Sequence, residues 1–398
     1  MVLVMVSDPT AVLGELVRRT RGTGPSQLAP LVAELGAAVG MADAVIYLAD
    51  YGQTRLMPVP YSGMPVRLPL GVEGTLAGHA YRACSPHNGE GADGTRRLWL
   101  PLSEGSERLG VLEVTVAAAD VAAIQPGAED FADLVAALLV TRWAYGDVFE
   151  LVRRVRPMQL PAEIQWRLLP PTTVRAEGVS LSGLLEPWNE VGGDAFDYAL
   201  NDGRLHVALF DAMGHGLNAT LLSTLAVGAY RNARRGRADL RGTYEAIDVA
   251  IAEQFPHGHF VTGLLLDLEV RTGLLSWVSA GHLPPLLIRH DRQVKLPPTR
   301  PATPLGLRFT DGDVPVHMLQ LEPGDQLVLY TDGVVEARRL GQFFSEERLA
   351  DFVVRASASG HAGPEVLRRL IQSVLAHQDG LLQDDATLLL LDWAGPPV

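Results

Sequence analysis

Four short acidic signatures stand in the C-terminal part of this 398-residue chain: Glu190-Val191-Gly192-Gly193-Asp194, Asp211-Ala212-Met213-Gly214-His215-Gly216, Thr331-Asp332-Gly333 and Gln383-Asp384-Asp385. Each carboxylate follows or sits beside an apolar run that reads as a buried strand. A carboxylate is too costly to bury without a partner, so a set of them at strand ends calls for a cation. Oxygen donors without Cys and with few His select hard divalent ions such as Mg²⁺ or Mn²⁺. Taken singly, each acid is as readily an exposed turn residue. Four such placements in one stretch of chain favour a metal-dependent hydrolytic site built from distant segments.

The local chemistry of each signature supports that reading. In Gly192-Gly193-Asp194 the glycines permit a sharp turn and clear space beside Asp194, the expected ligand. Asp197, three residues on, should face the other side of a strand and act as a supporting or turn carboxylate. Asp211 ends the apolar run 205–210 and precedes Gly214-His215-Gly216 and a helix, so a carboxylate and a positive helix end converge there. His215 reads as a solvent-facing or backbone-bonded imidazole. Asp332 follows the strand run 326–330, and Asp384-Asp385 open the strand run 386–391. His282, between Ser279 and Pro284-Pro285, reads as a residue that fixes its turn by hydrogen bonding. Arg175 is the one candidate for contacting a substrate anion.

The elements that must position these residues fall into two regions. Strand patterns occupy 179–185, 195–200, 205–210, 262–270, 274–279, 285–288, 321–330 and 386–391, with helical patterns at 218–233, 242–254 and 365–378. Short turns such as Asn201-Asp202-Gly203 imply antiparallel pairing, and the grouped helices imply an α+β, α-β-β-α sandwich. The first 120 residues mix a helix, Leu28 to Val39, with strands at 44–48, 98–102 and 110–116. Between the regions, apolar residues from Phe131 to Val155 repeat at helical spacing until Pro157. That stripe is either the terminal helix of the first domain or a coiled-coil dimer seam, and the seam is the reading adopted. The division is therefore 1–125, a linker helix at 126–160, and 161–398.

Composition narrows the function classes. Apolar residues make up 47% and charged residues 20%, as in a globular chain. A net charge of −13 without a basic stripe argues against nucleic acid or an anionic membrane surface as partner. The single Cys84 excludes an internal disulfide and fits a reducing cytoplasm. Cys84 near His87 invites a bound chromophore, but a lone Cys is more often structural. The N-terminus has no basic segment ahead of an apolar one, and the apolar run 131–145 is broken by Asp133 and Arg142. A cytoplasmic chain without membrane insertion is expected.

The order E-x-G-G-D-x-x-D, D-x-M-G-H-G, S-A-G-H-x-P-P (279–285), P-G-D-x-L-x-L-Y-T-D-G-V-x-E-A (323–337) and D-D-A-T resembles the SpoIIE/RsbU branch of the PPM (PP2C-like) serine/threonine phosphatases. The resemblance spans roughly 160–395, and it implies two Mn²⁺ or Mg²⁺ ions in the sandwich. Asp211 would bridge both ions with help from the Ala212 carbonyl. Asp194 would complete one shell, and Asp332 and Asp384 the other. Asp197, Gly214, Gly333 and Asp385 would surround them, with Asp385, where the wider family often has Asn, supporting its neighbour. The implied chemistry is attack of a metal-activated water on phosphorus, with no phosphoenzyme. The implied substrate is a phosphorylated STAS-domain anti-sigma-factor antagonist in partner switching.

The first third resembles a GAF sensory domain, in which a helix precedes a sheet ending in a hairpin like 98–116. The expectation is thus a GAF-like sensor regulating a phosphatase, homodimeric through the linker helix. Two other classes stay open: a phosphoprotein-binding scaffold with a degenerate site, and a two-metal phosphodiesterase or nuclease.

Overall fold

The computed structural model describes residues 9–91, 94–186, 192–255, 258–308, 313–339, 342–379, 382 and 384–396. The chain divides into two units, Met1–Pro157 and Met158–Val398. Glu190, Val191 and Gln383 of the acidic signatures lie outside the described residues.

The first unit contains α1 (Pro9–Thr20), α2 (Leu28–Ala38), β1 (Asp43–Ala49), β2 (Arg55–Pro58), β3 (Leu70–Gly71), α3 (Leu76–Ala83), β4 (His87–Glu90), β5 (Thr95–Glu104), β6 (Glu107–Ala117), α4 (Val121–Trp143) and α5 (Val148–Arg153). Its sheet is antiparallel throughout, in the order β3-β2-β1-β6-β5-β4. Strand alternation sorts the core into two layers. Ala44, Ile46, Leu48, Leu112 and Val114 pack with α1, α2 and α4, whereas Val45, Tyr47, Ala49, Trp99 and Val111 pack with α3.

The stripe expected to form a dimer seam is used inside this unit. Phe131, Val135 and Leu139 of α4 and Phe149 of α5 are buried in the same core as Ile46 and Leu112, with Leu134, Leu138, Trp143, Val148 and Val152 against it. Helix α4 ends before Gly146, and α5 turns back so that Arg153 stacks on Tyr51 and Trp143 and donates to the Ala49 carbonyl at 2.8 Å. The unit's own core covers this apolar face except at Leu151, which is exposed. Cys84, at the end of α3, reaches the Tyr81 carbonyl (3.7 Å), and the His87 ring packs against His79.

The second unit contains α6 (Leu160–Leu168), β7 (Thr173–Ala176), β8 (Val179–Glu186), β9 (Asp194–Asn201), β10 (Arg204–Ala212), α7 (Leu217–Arg235), α8 (Leu240–Gln254), β11 (Val261–Glu269), β12 (Leu274–Ala280), β13 (Leu286–Arg289), β14 (Arg292–Val294), β15 (His317–Gln320), β16 (Asp325–Tyr330), α9 (Asp332–Val335), β17 (Arg338–Arg339), β18 (Gln342–Phe343), α10 (Glu346–Ala358), α11 (Gly363–His377) and β19 (Ala386–Trp393). Two antiparallel sheets form, ordered β15-β12-β11-β10-β9 and β14-β13-β16-β19-β8-β7.

Their inner faces share one core: Phe196, Val207, Leu209, Leu264 and Leu266 meet Leu181, Leu327, Leu329, Leu389 and Leu391. The outer face of the first sheet, with Ala208 and Phe210, packs on α7 and α8. That of the second, with Val328, Tyr330, Leu388 and Leu390, packs on α10 and α11. The four layers are helix, sheet, sheet, helix, as the strand and helix patterns require.

This alternation decides which acids can meet. Phe196 and Leu209 point inward, so Asp194 and Asp211, two residues away on the same faces, also point inward. Asp197 points outward, where it is buried against α7 and pairs with Arg231 (2.7 Å) and Arg234 (2.9 Å). It anchors a helix rather than serving the metal-side carboxylates. Removing one partner of a buried charge cluster strands the others. Asp197→Ala should lower unfolding stability by about 3 kcal/mol, measured by chemical denaturation, while cation affinity stays at the parent value.

Candidate metal centre

The inner layer changes from apolar to polar at one end of the sandwich. Following β10 from Leu209 leads to Asp211; following β9 from Phe196 leads to Asp194; the two acids are directly opposed partners across the ladder. On the other sheet, Leu329 is followed two residues on by Thr331, and Leu389 is preceded by Thr387 and Asp385. Each of these positions keeps the inward phase of its strand. Asp332 opens α9, and Asp384, exposed, sits at the entrance to β19.

Asp194 is enclosed and braced from the opposite sheet. Its Oδ2 accepts hydrogen bonds from the Thr331 hydroxyl (2.7 Å) and the Thr387 hydroxyl (2.6 Å), both threonines being fully buried. The Thr387 N–H donates to Thr331 Oγ1 at 2.9 Å, and the Thr331 N–H to the Thr387 carbonyl at 3.1 Å. One carboxylate oxygen is thereby committed to the protein, leaving Oδ1 for another partner. Asp385 has a different task from the one expected of it. Its Oδ2 accepts the Gly192 N–H at 2.6 Å, so it holds the glycine turn leading to Asp194. Toward Asp384 the bond is only from the Asp385 backbone N–H, at 2.9 Å.

The glycines are required by close approach. A Cβ at Gly193 would lie 2.2 Å from the Ala212 carbonyl oxygen, and one at Gly333 would lie 1.9 Å from the Asp385 carbonyl oxygen. Gly214, with φ +88°, meets nothing within 4 Å and serves the turn through its backbone conformation. The Thr220 hydroxyl of α7 donates to the carbonyl of Gly192 (3.2 Å) or Gly216 (3.1 Å), tying the helix start to the same turn.

The electrostatics are one-sided. Burial, then Asp211 and Asp385, hold the Asp194 carboxyl well above its ordinary range. Burial, then Asp332, Asp384 and Asp385, push Asp211 up to about 7. Burial, then Asp384 and Glu336, raise Asp332. Burial also lifts Asp385 to about 7, against the backbone N–H groups of Asp194, Gly192 and Gly193, which pull it down. Every charge acting on these groups is another carboxylate, in contrast to Asp197 with its two arginines.

This donor chemistry fits hard divalent cations: all oxygen, buried or half-buried apart from Asp384, and without a basic counter-charge. The closed ligand shell expected from sequence is not assembled. Among the described residues, no three His, Cys, Asp or Glu side chains converge closely enough to hold an ion. The acids are neighbours in mutual repulsion on braced backbones, so side-chain rotation would have to complete a shell.

His282 lies beside the acids and outside their set. Its Nε2 donates to the Tyr330 carbonyl (3.2 Å), which fixes Nδ1 as the acceptor of the Thr262 hydroxyl (2.9 Å). Burial lowers its pKa to about 4, so the ring stays neutral. Thr262 is the ladder partner of Asp211, and Tyr330 stands two residues before Asp332. His282 therefore clamps the two sheets, while the Ser279 hydroxyl fixes its turn through the His282 carbonyl (2.7 Å).

His215 is exposed. Arg175 is misplaced for a phosphate contact. It pairs with Ser180, which pairs with Asp392, about 20 Å along β19 from Ala386 at the acidic end. Thr331 and Thr387 were not singled out from sequence, although both stood in the motifs. Counting along the alternation, forward from Leu329 and back from Leu389, would have found them.

Two outcomes follow from this geometry. The raised carboxyls stabilise the metal-free fold fully below the ordinary carboxylate range, and that contribution is lost as pH rises through about 7. In chelator, the melting temperature should fall between about pH 4 and 7, Asp385→Asn should reduce the fall, and Mn²⁺ should reverse it. Thr387→Val removes one brace from Asp194 without changing volume. The Mn²⁺ concentration giving half-maximal thermal stabilisation should then rise about tenfold.

Comparison with known proteins finds relatives of the second unit. Residues 201–394, most of the second unit, match the family described as Stage II sporulation protein E (SpoIIE). The chain is 25% identical to Protein IcfG of Synechocystis sp. over 57% of its own length and 40% of that protein. It is 22% identical to Phosphoserine phosphatase RsbU of Bacillus subtilis over 59% of its own length and 69% of that protein. With Phosphoserine phosphatase RsbP of the same organism it shares 27% identity over 46% and 45% of the two chains. It thus spans less than half the length of two of these relatives. Among solved structures, the RsbU and RsbW domains of a Mycobacterium tuberculosis protein align over 55% of this chain and 62% of that one, at 28% identity and a TM-score of 0.47. Residues 201–394 are thus a SpoIIE-type PPM phosphatase domain, similar to RsbU and RsbP.

Proposed function

We propose that the chain hydrolyses phosphoserine or phosphothreonine on a regulatory protein, using two Mn²⁺ or Mg²⁺ ions held at the acidic end of the second unit. The observation that carries the reading is the set of inward or rim-placed acids contributed by both sheets with no basic counter-charge: Asp194 and Asp211 from one, Asp332 and Asp384 from the other. A family of phosphatases to which residues 201–394 belong, and relatives named as phosphoserine phosphatases, support the same chemistry.

In this reading Asp211 and the Ala212 carbonyl would help to hold the ions. Asp194, through the oxygen that the threonines leave, would hold them as well, together with Asp332 and Asp384. Bound ions would supply an activated water and neutralise the phosphoryl oxygens. The protein's own part is to hold the acids in place. Thr331 and Thr387 restrict Asp194 to one oxygen, Asp385 keeps the Gly192 turn closed, and neutral His282 fixes the sheets on either side. The first unit, GAF-like in its strand and helix order, would be the regulatory part. A STAS-fold antagonist of an anti-sigma factor is the substrate proposed from the resemblance. Among the described residues, no helix is long and apolar enough to cross a membrane.

Turnover by the full chain of p-nitrophenyl phosphate and of a phosphoserine peptide, each with Mn²⁺, tests the reading. Activity should vanish in chelator, and Asp211→Ala should reduce it about a hundredfold or more. Peptide binding without turnover in any divalent metal would replace this reading with that of a phosphoprotein-binding scaffold.

A further inference from the structure

Helix α7 carries more apolar surface than its packing requires. Its inner side, with Ala219, Leu222, Ala226, Val227 and Tyr230, is buried against the first sheet. Leu217 and Leu221, one turn apart on another side, are each 41% exposed, and Met213, in the turn that leads into α7, is 41% exposed as well. The other exposed large apolar residues of this unit, Leu160, Val316, Met318 and Phe343, lie on other elements. The strip begins two residues after Asp211. Between Met213 and Leu217, Gly214 and Gly216 have positive φ, and a Cβ at either would meet nothing within 4 Å. The step Gly214-His215-Gly216, whose one side chain is the exposed His215, therefore links the acidic centre to an apolar ledge.

We propose that Met213, Leu217 and Leu221 form a docking surface for apolar residues flanking the phosphoserine of a polypeptide substrate. The inference rests on the phosphatase reading and adds a substrate preference to it. A phosphoryl group delivered to Asp211 brings its flanking chain over the neighbouring surface, where Gly214 and Gly216 leave open space on either side of His215. The chemistry of the ledge selects the flanks. Leucine-like side chains gain by covering exposed leucine and methionine. Acidic flanks would meet Asp332 and the exposed Asp384. A polypeptide is favoured over a small phosphomonoester, which would leave the ledge uncovered.

The test uses the full chain and two fluorescent peptides carrying the non-hydrolysable phosphonate analogue of phosphoserine, flanked by leucines in one and by serines in the other. Binding is read by anisotropy in Mn²⁺, so the result stands whether or not the chain turns over phosphate. The leucine peptide should bind at least about fivefold more tightly. That ratio should approach one in the Leu217→Ser, Leu221→Ser double variant, with p-nitrophenyl phosphate turnover unchanged. If the double variant melts early, Leu221→Gln alone should lower the ratio. Equal binding of the two peptides by the parent, or a ratio that survives in the variants, overturns the proposal. A surviving ratio together with loss of a dimer in sedimentation would assign the ledge to a second copy of the chain. Failure of the parent to turn over any phosphomonoester would count against the phosphatase reading, with the peptide ratio still deciding the ledge.

Discussion

Asp194 is enclosed, two of its hydrogen-bond donors are threonine hydroxyls from the opposite sheet, and the charges around it are all negative. Burial of an acid in such company opposes folding unless a proton or a cation accompanies it. The second unit concentrates that cost at one end of its inter-sheet layer, where leucine and phenylalanine give way to aspartate and threonine. Elsewhere buried acids are paired conventionally, as Asp197 is with Arg231 and Arg234 and Glu365 with Arg368. The contrast separates acids that hold the fold together from acids kept available for something else.

Availability requires fixed positions, and the bracing at this end runs across large sequence separations. Thr331 and Thr387 bond to each other and to Asp194; Asp385 bonds to Gly192; His282 joins Thr262 to Tyr330. Each bond links one sheet to the other or a strand to a distant turn. The backbone of the acidic end is thus determined by the packing of both sheets. Gly193 and Gly333 belong to the same device, because carbonyl oxygens of distant segments occupy the space where their side chains would stand.

The first unit illustrates how an amphipathic pattern can be read in two ways. The apolar repeat from Phe131 to Val155 has the spacing of a helix face that needs a cover, but spacing does not name the cover. In the fold, the cover is the unit's own core, reached because the helix breaks near Gly146 and α5 folds back with Phe149 buried. The same ambiguity hid Arg175. Its place just before the acidic signatures in sequence corresponds to the far end of the sandwich in space, because β7 runs away from the acidic end.

Local patterns were enough to determine a great deal: strand alternation in 205–210 and 386–391, helix periods in 218–233 and 365–378, and acids at strand ends beside glycines. Period and turn chemistry are properties of a few adjacent residues, so they are legible without a fold. From them came the layered architecture, the identity of the acidic signatures and the outward face of Asp197. Only tertiary structure decided which groups brace those acids, that Asp385 serves the Gly192 turn, that His282 bridges two sheets, and that the carboxylates stand as repelling neighbours short of a closed shell. Those outcomes depend on register and on the distance between strands more than a hundred residues apart in sequence, which no local pattern encodes.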